Sequence, residues 1–481
     1  MPISHVENEF IDFLIQPLLP RMYSTQGPAM VIGDINGDAL NDLFVGGGKG
    51  HRGAIYLKNH EGDYSKLQQS FDGATEDVDA SFFDAEGDGD LDLYVVSGGY
   101  EFSSNEGGLQ DRLYINKGDG KFDKAKNRLP SFLSSGSCVR PFDFDEDGDL
   151  DLFVGGRIVP GSYPKAPLSY LLENDGKGFF KVVTSSVAPD LQRIGMVSDA
   201  KWADLNGDGK QDIIVVGEWM GIKVFINENG KLIDKSDEFL DNAYQGWWNT
   251  IEVNDLDGDG DMDFIVGNLG MNNQMKASRE SPVSMQYADY DDNGSVDPIL
   301  FYHIQGKSFP YASRDELIAQ LPMLKKRFVD YESYSSAVLE TIFTEKEQAL
   351  SKELVATTFE TSVFINNANQ QFAKMSLPIE AQFSPVYSIA VLDVNGDDIL
   401  DIILGGNLEK TRVRTGKYTG NNGFVFIGNI SGTYHYLNQN NSGLNVSGDV
   451  RKIIIDGDRI LFGRNNSDVM IYEIKGDIEI L

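Results

Sequence analysis

DINGDALND at 34–42, DAEGDGDLD at 84–92, DFDEDGDLD at 143–151 and DLNGDGKQD at 204–212 are four copies of one nine-residue pattern. Three more copies read DLDGDGDMD at 255–263, DYDDNGSVD at 289–297 and DVNGDDILD at 393–401. Their first residues lie 50, 59, 61, 51, 34 and 104 positions apart, and a unit recurring at about 50 residues signals a propeller or a solenoid. A short apolar run ending in glycine or a small residue follows each copy, as in LFVGG at 43–47, LYVVSGG at 93–99 and FIVGN at 264–268. Such runs of β-branched and aromatic residues bounded by turn residues read as buried strands. A hairpin with an Asn-x-x-Gly or Asp-Gly turn then follows in most units, at 54–67, 112–122, 169–182 and 222–234. The unit is therefore strand, acidic loop, strand, hairpin. That makes a four-stranded antiparallel blade, and blades with two apolar faces must stack radially, so the expected fold is an all-β propeller.

The reading favours seven blades, with eight if 283–312 opens a blade of its own rather than forming an excursion within the fifth. Residues 449–475 read as a last blade of three strands, and EFIDFLI at 9–15 is the expected fourth strand that closes the ring in a single domain spanning 1–481. The helical signal is confined to an insertion at 313–354, where Ser313 with Glu316 and Thr344 with Glu347 fit capping boxes and Pro322 separates two short helices.

Positions 1, 3, 5 and 9 of the loops form the candidate metal ligands. They are Asp34, Asn36, Asp38 and Asp42 in the first loop, Asp84, Glu86, Asp88 and Asp92 in the second, and Asp143, Asp145, Asp147 and Asp151 in the third. The fourth has Asp204, Asn206, Asp208 and Asp212, and the fifth Asp255, Asp257, Asp259 and Asp263. The sixth has Asp289, Asp291, Asn293 and Asp297, and the seventh Asp393, Asn395, Asp397 and Asp401. Of these 28 side chains 24 are carboxylates, where 74 acids in 481 residues would place about 4 by chance, so the clustering is imposed. Crowded carboxylates repel one another unless a cation neutralises them. A hard ion taking six to eight oxygens in flexible geometry fits, which favours Ca²⁺ over Mg²⁺, and the lack of His or Cys at any ligand position argues against Zn²⁺. The loops are not EF-hands, because Val45, Val95 and Val154 stand where the bidentate Glu would be and strands flank each site. Ala39 and Asp398 replace the glycine of position 6, which predicts weaker binding in the first and last loops.

Composition narrows the function. A net charge of −33, from 41 Lys plus Arg against 74 Asp plus Glu, repels phosphate backbones and excludes nucleic acid as a partner. Seven divalent ions would bring the charge to −19. No stretch approaches the ~18 apolar residues of a membrane helix, so no membrane insertion is expected, and the single Cys138 allows no internal disulfide.

The repeat, apolar-x-x-x-D-x-[DN]-G-D-G-x-x-D-[LI]-x-V-G-G, resembles the FG-GAP/VCBS-type repeat of integrin α-subunit propellers and of many bacterial surface proteins. NEFIDFLIQPLLPRMYSTQGPAMVIGDINGD at the start and ASRDELIAQLPMLKKRF at 312–328 are similar, more narrowly, to bacterial VCBS-repeat proteins that also carry an ASPIC/UnbV module. The resemblance implies Ca²⁺ at positions 1, 3, 5 and 9, an extracellular or cell-surface setting, and adhesion to or recognition of glycan or protein ligands. The chain shows no ASPIC/UnbV module and so reads as the C-terminal propeller of a longer exported parent, which would also explain why the opening MPISHVENEF carries no export signal.

Other features carry less. GKGHRG at 48–53 matches a dinucleotide fingerprint, but a strand follows it where a helix N-terminus is required. The histidines His5, His51, His60, His303 and His435 share no catalytic spacing, and Cys138 reads as a core residue. Trp219, Trp247 and Trp248 either fill gaps between blades or present a stacking surface for sugar rings, and Asn272, Asn273 and Gln274 with Arg279 form a polar loop. No catalytic residue is assigned and a binding module is favoured over an enzyme. The alternative, a polysaccharide lyase-like activity, would rely on Arg412, Arg414 and Lys417.

Overall fold

The computed structural model describes residues 2–103, 107–367, 371–430 and 432–475. Seven antiparallel sheets form successive blades. The first four take their strands in chain order, from Met30–Gly33 to Tyr64–Lys66, Glu76–Phe83 to Phe122–Lys124, Ser135–Phe142 to Lys181–Val182 and Met196–Ala203 to Leu232–Asp234. Blade five comprises Thr250–Asn254, Asp263–Gly267, Ser362–Asn367 and Gln371–Ser376; blade six runs from Val386–Leu392 to Tyr434–Leu437. Blade seven keeps three strands, Val450–Asp456, Arg459–Arg464 and Met470–Glu473. The first strand of each blade packs on that of the next, and the first strand of blade seven packs on that of blade one, which closes the ring.

The second strands are buried along nearly their whole length, as in Asp92–Gly98 and Asp212–Met220. Each interface between neighbouring blades holds its own apolar cluster. Phe83, Tyr94 and Val96 of blade two meet Leu152, Val154 and Leu172 of blade three, and Leu461 of blade seven meets Leu43 and Val45 of blade one. Buried apolar area distributed over seven such seams holds the ring together.

An eighth sheet is inserted between the second and third strands of blade five, with the order Lys307–Pro310, Asp297–Ile304, Val283–Ala288, Lys352–Ala356. It carries the sixth acidic loop but stands outside the ring. This is why too little chain follows 264–267 for a hairpin of its own. The short helices Arg314–Gln320, Tyr331–Tyr334, Leu339–Ile342 and Glu345–Gln348 follow, with a 3₁₀ turn at Pro322–Lys326. Ser313 and Thr344 cap their helices through Glu316 and Glu347. Leu317, Leu321 and Phe343 pack with Ile299 and Phe301 of the inserted sheet, while Val283 and Met285 pack with Trp219 and Trp247 of the propeller.

The closing strand is not where the sequence places it. Residues 9–15 form a loop with a 3₁₀ turn at Asp12–Leu14, and Leu14 is 80% exposed. The buried Asp12 carboxylate accepts the backbone N–H groups of Tyr23 and Ser24, which turns the chain here. Residues 3–5 reach blade seven instead: Ile3 and Ser467 carbonyls accept from Val469 and His5, and Ser4 bridges Asp468.

Candidate metal centres and the central channel

All seven acidic loops share one construction. The position 1 carboxylate accepts the backbone N–H of position 5 on one oxygen and that of position 6 on the other. Position 5 in turn accepts the N–H of position 7. To wrap so tightly, the chain passes through the left-handed region at positions 4 and 6, including the non-glycine residues Glu146 and Asp292 at position 4 and Ala39 and Asp398 at position 6. The loop is thus shaped by its own amides before any ion arrives.

Position 9 opens the second strand and ties the loop to the blade. In six loops one of its oxygens accepts the N–H of position 2. In the six loops of the ring the other accepts an N–H from the third strand, such as Asn116, Asn174, Asn227 and Asn366. Asp297, in the inserted sheet, accepts Gln320 Nε2 at 2.6 Å instead. A carboxylate has about four lone-pair sites, so position 9 retains acceptor capacity beyond these bonds. Burial raises these groups, to about 6 at Asp42, Asp92, Asp212 and Asp297 and to about 7 at Asp151 and Asp263.

The same asparagines do a second task that the sequence reading missed. Asn116, Asn174, Asn227 and Asn366 each donate Nδ2 to the position 2 carbonyl of the preceding blade's loop, at Ile35, Ala85, Phe144 and Leu205. Their signal was present in the recurring third strands RLYIN, YLLEN, KVFIN and SVFIN. Blade one replaces the asparagine with Lys58, whose Nζ pairs with Asp456 of blade seven at 2.6 Å. Asn41 and Tyr64 also donate to Asp456.

The residues fit a cation best in three loops. Carboxylate oxygens of Asp143, Asp145 and Asp151, of Asp255, Asp257 and Asp259, and of Asp289, Asp291 and Asp297 lie within 4.8 Å of one another in each group. Oδ1 of Asp145, Asp149 and Asp291 is buried without a hydrogen-bond partner, an arrangement that an ion would relieve. Burial and then the neighbouring Asp147 push Asp145 up; the same two causes push Asp149 up to about 6. The second loop differs, because Arg128 pairs with Glu86 at 2.5 Å and holds its carboxylate.

The acidic loops of blades one to six occupy one face of the ring, and the inserted sheet, with its own acidic loop, and residues 10–25 cover the other. Between them runs the central channel. Arg140 of blade three pairs with Asp79 of blade two at 2.6 Å and with Asp199 of blade four, and Lys452 of blade seven reaches Asp79 at 3.0 Å. Burial opposes ionisation, but Lys452 and Arg140 hold Asp79 down at about 2. Beside the covered end, the fully buried Glu218 accepts Arg21 at 2.5 Å, Arg157 at 2.6 Å, Tyr23 at 2.7 Å and Tyr163 at 3.0 Å.

The remaining candidates have structural partners. Trp219, Trp247 and Trp248 are 4%, 3% and 0% exposed, so they offer no stacking surface to a sugar. Trp219 and Trp247 pack edge to face beneath the inserted sheet. Arg412 and Arg414 both pair with Glu316, and Lys417 pairs with Glu409. This set fastens the 407–418 loop to the insertion and does not converge on open space. Asn272 and Asn273 donate to backbone carbonyls of Phe383 and Gly270, while Gln274 and Arg279 are exposed. GKGHRG leads into the strand Ala54–Lys58, and burial pushes the Cys138 thiol up to about 12.

The family model described as an FG-GAP-like repeat matches residues 34–95, 100–154 and 204–266, which contain the first five acidic loops. These three stretches are FG-GAP-like repeats. No curated protein matches the chain. Solved structures similar to this FG-GAP-containing propeller include the V. cholerae biofilm matrix protein Bap1, at 12% identity over 98% of this chain and 90% of that one with a TM-score of 0.39. Saccharomyces cerevisiae Sqt1 aligns at 10% identity over 95% and 98%, with a TM-score of 0.43. The exotype rhamnogalacturonan lyase YesX aligns at 12% identity over 95% and 73%, with a TM-score of 0.42. No helix among the described residues is long and apolar enough to cross a membrane.

Proposed function

We propose that the chain is a calcium-stabilised recognition propeller of the bacterial VCBS-repeat type, working outside the cell or at its surface on a glycan or protein ligand. The reading rests chiefly on the partnerless buried oxygens of Asp145 and Asp291 inside three-carboxylate groups, with that of Asp149 in the same loop as Asp145. Positions 1, 3, 5 and 9 of each loop would hold the ion, which supplies charge neutralisation and fixes the loop between first and second strands. The residues themselves bind and orient and perform no proton transfer. A non-enzymatic role is supported by the engagement of Arg412 and Arg414 with Glu316, which leaves a lyase without its expected basic pair.

Metal analysis after equilibrium dialysis tests the assignment. The wild type is expected to retain calcium in preference to magnesium, and the double variant Asp145→Asn with Asp291→Asn to lose about two ions per chain. Equal retention by wild type and variant would contradict the assignment. For recognition, immobilised glycans and surface proteins are expected to capture the calcium-loaded protein and not the stripped one.

A further inference from the structure

A cavity of about 310 Å³ occupies the centre of the ring, lined by the first strands of blades two to seven. Its mouth lies toward the acidic-loop face, where Lys201, Glu252 and Lys452 are partly exposed. Its far end is closed by Arg21, which is buried and donates to both Asn249 and Tyr387. Five cationic side chains line the cavity against three acidic ones. Adding the buried Arg21–Glu218 pair behind it, and Asp449, which pairs with Arg451 at 3.1 Å, leaves an excess of one positive charge, inside a chain whose net charge is −33.

Two donors at this closed end lack a partner. Arg157 is 5% exposed and gives Nη2 to Glu218, while its Nη1 has no acceptor. Asn249 is 8% exposed, and its Nδ2 also has none. The amide cannot escape by flipping, because Arg21 Nη1 donates to Asn249 Oδ1. The acids that line the cavity are already engaged: Asp79 with Arg140 and Lys452, Asp199 with Arg140 and Thr250, Glu252 with Lys201. The space thus offers surplus N–H groups and surplus positive charge, with no carboxylate left for a cation.

We propose that the closed end of the channel binds a small carboxylate, gripped by Arg157 Nη1 and Asn249 Nδ2. A planar carboxylate accepts two N–H groups side by side, and pairing with a guanidinium is the strong form of such bonds. The volume is at the small end of ligand pockets, which suits one sugar acid or the charged terminus of an acidic glycan. The inference goes beyond the calcium reading and does not rest on it, since the loops and the channel use different residues.

Isothermal titration at fixed calcium, with galacturonate, trigalacturonate and neutral galactose as probes, tests the site. Saturable binding of galacturonate at one site per chain is expected, with galactose silent. Trigalacturonate binding at least as tightly would identify a glycan terminus as the source of the carboxylate, and its exclusion would identify the free acid; both uphold the site. Asn249→Asp keeps the acceptor for Arg21 and replaces the free donor with a negative charge, and is expected to weaken binding at least tenfold. Arg157→Lys, which keeps the charge beside Glu218 but loses the second donor, provides the same test if the first variant does not fold. Absence of saturable galacturonate binding to folded wild type, equal binding of galactose, or undiminished binding in either folded variant would overturn the proposal. Calcium content measured on the same samples separates this outcome from failure of the metal assignment.

Discussion

At position 6 of the first acidic loop Ala39 holds φ at +64°, a conformation that glycine adopts freely and alanine does not. The loop tolerates it because Ala39 N–H is bound to Asp34 at 2.8 Å. Left-handed backbone costs an L residue roughly 1–2 kcal/mol, part of which the greater chain entropy of unfolded glycine offsets. Ala39→Gly is therefore expected to stabilise the protein by about 0.5–1 kcal/mol and to tighten metal binding in that loop, read from denaturation midpoints with and without calcium. The sequence showed the missing glycine, from which weaker binding in this loop is expected. Position 4 makes the same demand, met by glycine in five loops and by Glu146 and Asp292 in the other two, where a polar residue gives no sign of the backbone geometry.

The position 9 carboxylates carry a pH dependence whose sign follows from their raised values. In the metal-free protein, Asp92 and Asp212 near 6 and Asp151 and Asp263 near 7 hold protons that the unfolded chain, near 3.8, has released. Their contribution to metal-free stability is thus present at about pH 4 and lost as pH rises through 6 to 7. Calcium bound at position 9 would displace those protons, so the calcium-induced rise in melting temperature is expected to grow between pH 5 and pH 7.5. A calcium effect that shrinks over this interval would show that position 9 is not a ligand.

At the scale of the element, the third strands are latches as well as sheet members. Asn366 donates to the carbonyls of Leu205 in blade four and Met262 in blade five, and Asn174 does the same for Ala85 and Leu150. Removing such a donor strands two carbonyls, and a buried group left unsatisfied costs about 1–3 kcal/mol. Asn174→Ala and Asn366→Ala are each expected to lower stability by that amount in urea denaturation without changing the calcium content. The strands and hairpins were legible in the sequence because their alternation of β-branched runs and glycine turns is local. The latches were not, because an asparagine after an apolar run reads as a turn residue until the neighbouring blade is in place. The closing element was misread for a related reason. EFIDFLI has strand-like apolarity, yet it is the polar Asp12 that is buried there, while Ile11, Leu14 and Ile15 face outward. Pairing went to residues 3–5, where the composition carries no strand signal.

For the whole molecule, closure depends on the junction of blades seven and one. Asp456 gathers Lys58, Asn41 and Tyr64 at the place where the degenerate last blade has lost its acidic loop. Asp456→Ala is expected to destabilise the ring more than substitution of an exposed acid such as Asp63, with loss of protection in hydrogen exchange concentrated in Val450–Asp456 and Ala54–Lys58. That the chain forms a propeller followed from the spacing of the repeats, and seven blades rather than eight from reading 283–312 as an excursion within the fifth. The inserted sheet did not, since its acidic loop obeys the same pattern as the others and only the return of the chain to Ser362–Asn367 places it outside the ring.

Calcium held in the acidic loops would stabilise the fold. A ligand that binds only the native state stabilises it by roughly 2.7 kcal/mol at 100 times its dissociation constant for each site. A thermal melt of metal-stripped protein with calcium, with magnesium and with neither is the most direct measurement. A rise of many degrees with calcium and a much smaller one with magnesium is the result expected. Coincident melting curves, with metal analysis finding the loops empty at saturating calcium, would contradict it.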